Sequence, residues 1–334
     1  MDTSMRSKFK VVKAVFLLVV VTGLFLNLLQ VSKLKDVPSP NQSGRRAQID
    51  PVSRSTIKYK PKGFAKRSMK HANVLVKAGD FVYSEAGWDS SPIVIESHKL
   101  VFFTVPKAGC TVWKQLFRRM MGFQDWKTQS SQDDSRQIPH NPKHNGLRYL
   151  HQYSLREANE IMTSPKYTRA IFVRDPKERF LSAFLDKALS NDGSHVQAKC
   201  CPGGDCVKEA QKFPGFIKLV LNGCSNPHWD SQSRRMEPKY WRHLDFVGHI
   251  DNAAADAKKL LQQIGAWDDF GKSGWGANGD KAVFESKATD VSHATWSKYK
   301  MWKHYTPELE TIVENFFAAD YTTPVLNLTR SRLY

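Results

Sequence analysis

The chain has 334 residues, a formal charge of +18, 41% hydrophobic and 11% aromatic residues. That apolar content can bury a core and excludes a wholly disordered chain, while a single long apolar run excludes a multi-pass membrane protein. Five cysteines over this length exclude a disulfide miniprotein.

Residues 1–13 hold Arg6, Lys8, Lys10 and Lys13 against Asp2, a net +3. The run 14–31 is uncharged, with Thr22, Asn27 and Gln30 as its polar members. At about 1.5 Å per residue a helix here spans about 27 Å, enough for a thin bilayer. The basic flank predicts a type II signal-anchor with a cytosolic tail, although Lys33 and Lys35 blunt the asymmetry. A cleaved signal peptide is the competing reading; the length of the run and the lack of a clean small-x-small site stand against it. Either reading sends the rest of the chain into the secretory lumen.

Residues 32–73 read as a stem. Eleven Lys/Arg in 33–70 face only Asp36 and Asp50, a net +9, and Pro38, Pro40, Pro51 and Pro61 break any helix. The stem is a solvated spacer, or a spacer whose charge also attracts acidic glycans. The remaining 74–334 keeps only +6 of the total. This mild basicity argues against nucleic acid and suits a small anionic ligand.

A folded, lumenal domain is expected over 74–334. Short β-branched and aromatic runs predict strands at Ile93–Ile95, Leu100–Val105 and Ala170–Val173. Helices are predicted over Thr111–Met121, Pro176–Leu189, Asp251–Ile264 (stopped by Gly265) and Pro307–Asp320. Strands alternating with helices predict an α/β fold, a single domain with a central, mostly parallel sheet flanked by helices.

Two junctions carry chemistry. In Leu100-Val-Phe-Phe-Thr-Val-Pro-Lys-Ala-Gly-Cys-Thr-Val-Trp-Lys114 a buried strand turns into a helix. Such a turn presents unpaired amides and the positive helix end, which hold a phosphate. Gly109 permits close approach, Thr111 can cap the helix, and Lys107 supplies a cation. The second junction is Val173-Arg174-Asp175-Pro176-Lys-Glu-Arg179-Phe-Leu-Ser182. An arginine at a strand end suits a phosphate because its planar fork is always charged. The plainer alternative is an ion pair of Arg174 with Asp175 or Glu178. A Walker loop at Gly265 and Gly271-Lys272-Ser273 fails on spacing and on its helical context, and no G-x-G-x-x-G is present.

Pro-Lys-Ala-Gly-Cys-Thr-x-Trp-Lys resembles the 5′-phosphosulfate loop of the Golgi carbohydrate sulfotransferases. The nearest branch is the chondroitin/dermatan 4-O- and HNK-1 sulfotransferase-like group. Arg-Asp-Pro-x-x-Arg-x-x-Ser resembles that family's 3′-phosphate motif. The resemblance implies a P-loop-like sulfotransferase domain that uses 3′-phosphoadenosine 5′-phosphosulfate (PAPS) as donor substrate, with no metal. Its acceptor would be a hydroxyl of a glycan or proteoglycan. It assigns Pro106, Lys107, Ala108, Gly109, Cys110, Thr111 and Val112 to the 5′ end of the donor. Arg174, Asp175, Arg179 and Ser182 fall to its 3′-phosphate. Lys107 would act on the bridging oxygen. A histidine would take the acceptor proton; His144 fits best by position, His140 is second, and His151 and His228 are further candidates. Weaker support comes from His140–Tyr153, Asn226-Pro-His228-Trp229 and Leu244–His249, whereas the Gly- and Trp-rich segment 264–276 departs from the family and leaves the acceptor sugar open. The implied location is the Golgi membrane. Rival readings are a secretory sulfotransferase for tyrosine or a small alcohol, a catalytically silent glycan-binding relative, and a nucleotide kinase.

Cys110 lies in the first loop and is expected to be a free thiol. Cys200, Cys201, Cys206 and Cys224 allow three pairings, of which the adjacent pair 200–201 is disfavoured. Asn41-Gln-Ser43 and Asn327-Leu-Thr329 are glycosylation sequons.

Overall fold

The computed structural model describes residues 74–87, 89–129, 136–285 and 295–334. These fall within a compact unit, Met69–Tyr334. The tail, the anchor at 14–31, the stem and the Asn41 sequon lie outside the described residues. Among the described residues no helix is long and apolar enough to cross a membrane.

The centre is a four-stranded mixed sheet of β1 (Ile93–Ile95), β2 (Leu100–Phe103), β3 (Thr168–Val173) and β4 (Phe246–His249), in that spatial order. β1 pairs antiparallel with β2; β2 with β3 and β3 with β4 are parallel. The three parallel strands therefore end on the same edge. β2 and β3 are almost wholly apolar because both faces are covered.

Alternation divides the strand side chains between two cores. Leu100, Phe102, Ala170 and Phe172 pack against α1 (Cys110–Met120), through Trp113, Leu116 and Phe117. Val101, Phe103, Ile171 and Val173 pack on the other face with α2 (Leu155–Thr163), through Ala158, Ile161 and Met162. Ser154 starts α2 with a reciprocal Ser154–Glu157 capping box. A third cluster joins α3 (Pro176–Ala183), α4 (Ser194–Cys200), α5 (Phe213–Leu221) and the C-terminal α7 (Pro307–Phe316), with α6 (Ala253–Gln263) behind β4 in the first core.

Two expected helices are corrected and one strand is new. The helix predicted over 176–189 is α3 followed by a wider turn, Phe184–Ala188. The helix predicted over 307–320 ends at Phe316 and restarts at Ala318. β4 was not expected as a strand: Phe246-Val-Gly-His carries little β-branched material, and Gly248 is there because a Cβ would stand 2.3 Å from Phe172 Cζ.

Candidate active site

β2 runs into the turn 104–109, where Lys107 (φ 68°) and Gly109 (φ 73°) are both left-handed. Ala108 N–H closes the turn on Val105 O at 3.1 Å. A Cβ at Gly109 would meet Ile250 Cδ1 and Phe284 Cε1 at 3.1 Å each. Gly109 also precedes α1 directly, and no side chain caps the helix there. The expected cap by Thr111 is thus overturned: Thr111 sits inside the first turn, with its hydroxyl 3.1 Å from His140 Nε2. The first-turn amides have no intrahelical acceptor, and they open on the carboxyl edge of the sheet, where an anion is favoured.

The Lys107 ammonium is nearly buried and donates to Asp186 Oδ2 at 2.9 Å. Lys187 reaches the same carboxylate at 3.2 Å. Burial alone would raise the Asp186 pKa, but the two ammonium groups outweigh it and hold it at about 2. Burial lowers the Lys107 pKa, with Asp186 opposing. An incoming anion therefore meets a desolvated cation whose present counter-charge is one carboxylate.

Arg174 leaves β3 and joins the two motifs. Its guanidinium donates to Lys107 O at 3.1 Å, to Glu178 Oε1 at 2.5 Å and to Ser297 Oγ at 2.8 Å. The ion pair with Glu178 exists, as the plainer reading anticipated, yet the buried Nε has no partner among the described residues. Gln232 clamps the Arg174 backbone at both N–H and C=O, at 2.9 and 2.8 Å. Ser182 Oγ lies 2.9 Å from Thr295 Oγ1, so the segment 295–297 touches both ends of the second motif. Beside Arg174, at the ends of β3 and β4, opens a cavity of about 120 Å³ lined by Asp175, His249, Asp251, Asn327 and Thr329 among others. This is where open α/β sheets hold ligands.

Two residues that the resemblance assigns to the donor have protein partners here. Arg179 is buried and donates to the carbonyls of His228 (2.8 Å) and Asp230, and at the edge of reach to Pro106 O (3.4 Å). Burial pushes its pKa down to about 10. It braces the loop at 227–230 against the first turn. Asp175 is the N-cap of α3, accepting from Glu178 N at 2.8 Å.

Of the histidines, His140 meets the first turn of α1 at Thr111, whereas His144 is exposed on the following turn, held through its backbone N–H to Asn141 O at 3.0 Å. His151 stacks on Tyr149. His228 Nδ1 lies 2.6 Å from Asn226 Oδ1 and its ring 5.3 Å from that of His195. Burial keeps both imidazoles neutral, His195 at about 4.

Asp186, Gln232 and Ser297 were missed. Asp186 had a signal, because it stands four residues after Ser182, one turn along the same face. Gln232 and Ser297 arrive from distant segments and had none. Asp89, which pairs with the fully buried Lys114 at 2.6 Å beneath α1, was missed for the same reason. Cys110 is free, and burial raises its pKa. The other four cysteines pair as Cys200–Cys224 and Cys201–Cys206. Among the described residues no cluster of His, Cys, Asp and Glu is arranged to hold a metal.

The profile of the sulfotransferase family matches residues 91–323, both strand–helix junctions included. The chain belongs to that family. Similar sulfotransferases include human carbohydrate sulfotransferase 9, 30% identical over 189 residues (52% of this chain, 40% of the relative). Mouse carbohydrate sulfotransferase 11 is 27% identical over 197 residues, 52% of each chain. Mouse carbohydrate sulfotransferase 8 is 28% identical over 222 residues, 60% of this chain and 50% of the relative. The matched part thus spans about half the length of these sulfotransferases. No solved structure matches the chain.

Proposed function

We propose that the protein transfers a sulfuryl group from PAPS to a sugar hydroxyl of a glycan or proteoglycan. The observation that carries this reading is the pairing of two phosphate grips on one sheet edge. Lys107 with the α1 amides forms one; Arg174, with its unpartnered buried Nε, forms the other. A nucleotide phosphorylated at both ends needs two such grips. The residues present fit that donor, and the secretory, membrane-anchored setting expected from residues 1–31 suits a glycan acceptor.

Transfer is an in-line displacement. The acceptor oxygen attacks sulfur, the bond from sulfur to the bridging oxygen breaks, and adenosine 3′,5′-bisphosphate leaves. Lys107 neutralises charge growing on the bridging oxygen, while the α1 amides hold the 5′-phosphate. Arg174 and Ser182 hold the 3′-phosphate, as in the matching family motif. His140 takes the acceptor proton at Nε2; its contact with Thr111 supports it over His144. Gly109, Cys110 and Val112 contribute backbone, and Arg179 and Asp175 keep the grips in place.

The test is transfer of ³⁵S from labelled PAPS to a panel of glycans, tyrosine peptides and small alcohols. Label is expected on a glycan, and Lys107→Ala should lower turnover by about 100-fold or more. Label on tyrosine or a small alcohol alone would favour the rival acceptor class. No transfer to any member would favour a silent binder.

A further inference from the structure

Two inward hydroxyls, Thr295 and Ser297, root the segment 295–304 in the second grip through Ser182 and Arg174. Its aromatic side chains do the opposite. Whereas most large aromatics among the described residues are buried or half-buried, Tyr299 is 69% exposed, Trp302 66% and Trp296 44%. They recur every third residue. Trp296 is held at φ 53°, a region that bulky residues avoid. Its ring centroid is 6.2 Å from that of Tyr299. Lys298 and Lys300 stand between the rings, Lys303 follows the last of them, and residues 295–304 contain no acid. Lys303 lies 5.1 Å over the Trp302 ring. Lys298 reaches Asp251 at 3.1 Å, in a pair more than half exposed on both sides, and Asp251 lines the cavity beside Arg174. The stripe is therefore tied to the mouth of the cleft through Lys298.

Exposed aromatics in a row are costly to leave in water and mark a contact surface. Flat rings match the C–H faces of pyranose units. Interleaved ammonium groups match an acid carried at each repeat, and long-range attraction brings a polyanion in. We propose that this stripe is the acceptor track: a uronate-bearing polysaccharide lies along it, sugar faces on Tyr299 and Trp302 and carboxylates on Lys300 and Lys303, with one hydroxyl delivered to the cleft. The track presupposes the sulfotransferase reading of that cleft.

Binding of the full chain to immobilised unsulfated chondroitin, with neutral dextran as control, tests the track. Each variant is also titrated with adenosine 3′,5′-bisphosphate. Chondroitin should bind in a salt-sensitive manner and dextran should not. Tyr299→Ala with Trp302→Ala should weaken chondroitin binding by about tenfold, with both phenylalanine replacements near wild type. Lys300→Gln with Lys303→Gln should weaken it and flatten its salt dependence. Bisphosphate affinity should stay constant throughout, which also reports an intact fold. Unchanged chondroitin binding in the alanine variant, equal binding of dextran, or a dimer dissolved by the alanine changes would overturn the track. If wild-type protein binds bisphosphate but no chondroitin, the track falls and the donor site stands; if it binds neither, both fall.

Discussion

At the scale of single residues, the site works through pairs that hold each other ready. Lys107 is nearly buried and tied to Asp186; Arg174 is fixed by Gln232, Glu178 and Ser297, and its buried Nε has no partner among the described residues. The histidines separate by place rather than by type. His140→Ala should lower kcat by about 100-fold, whereas His144→Ala should stay within about twofold of wild type, with bisphosphate affinity preserved in both. Kinetics of the two variants side by side check this; a large loss confined to His144→Ala would restore the exposed histidine as the base.

Among the elements, the sheet edge is what assembles the site. β2, β3 and β4 are parallel, so their ends deliver the turn at 104–109, Arg174 and Asp251 to one side. β4 depends on one missing methyl. Gly248→Ala would drive a Cβ into the Phe172 ring, which is stacked with Phe102, Phe246 and Phe284. A loss of about 2 kcal/mol or more is expected in denaturant unfolding; an unchanged midpoint would mean that the β3–β4 packing is looser than described. The elements bearing the two motifs were legible in the sequence because each is a strong apolar run closed by Gly or Pro. Ile93–Ile95 and the Pro176 helix start read directly. β4 did not, since its identity comes from pairing with β3 and not from its own composition. The Thr111 cap was misread because Gly109 in the left-handed region starts α1 without a side-chain cap. Spacing also cannot tell a guanidinium that faces a ligand from one that faces carbonyls, as Arg179 does.

Over the whole molecule, buried imidazoles set the response to acid. The His195 pKa drops from 6.5 to about 4 through burial first and Lys187 second, and burial drives His228 down as well. The unfolded chain takes up these protons from about pH 6.5 downward, while folded His195 refuses its proton until about pH 4. Stability is therefore full above pH 6.5 and falls as the pH drops towards 4. Asp186, held at about 2, extends the fall from about pH 4 to 2. Urea midpoints should decline across the first window, and His195→Gln should flatten that decline; a wild-type midpoint constant from pH 7 to 4.5 would refute it.

The proposed function requires one sheet edge to grip a nucleotide by both of its phosphates. Isothermal titration of the full chain with adenosine 3′,5′-bisphosphate, with ATP as control, tests it most directly. Micromolar binding of the bisphosphate is expected, with little or none for ATP and loss of binding in Arg174→Ala without loss of folding. A folded wild-type chain that ignores the bisphosphate, or binds it equally well without Arg174, would contradict it.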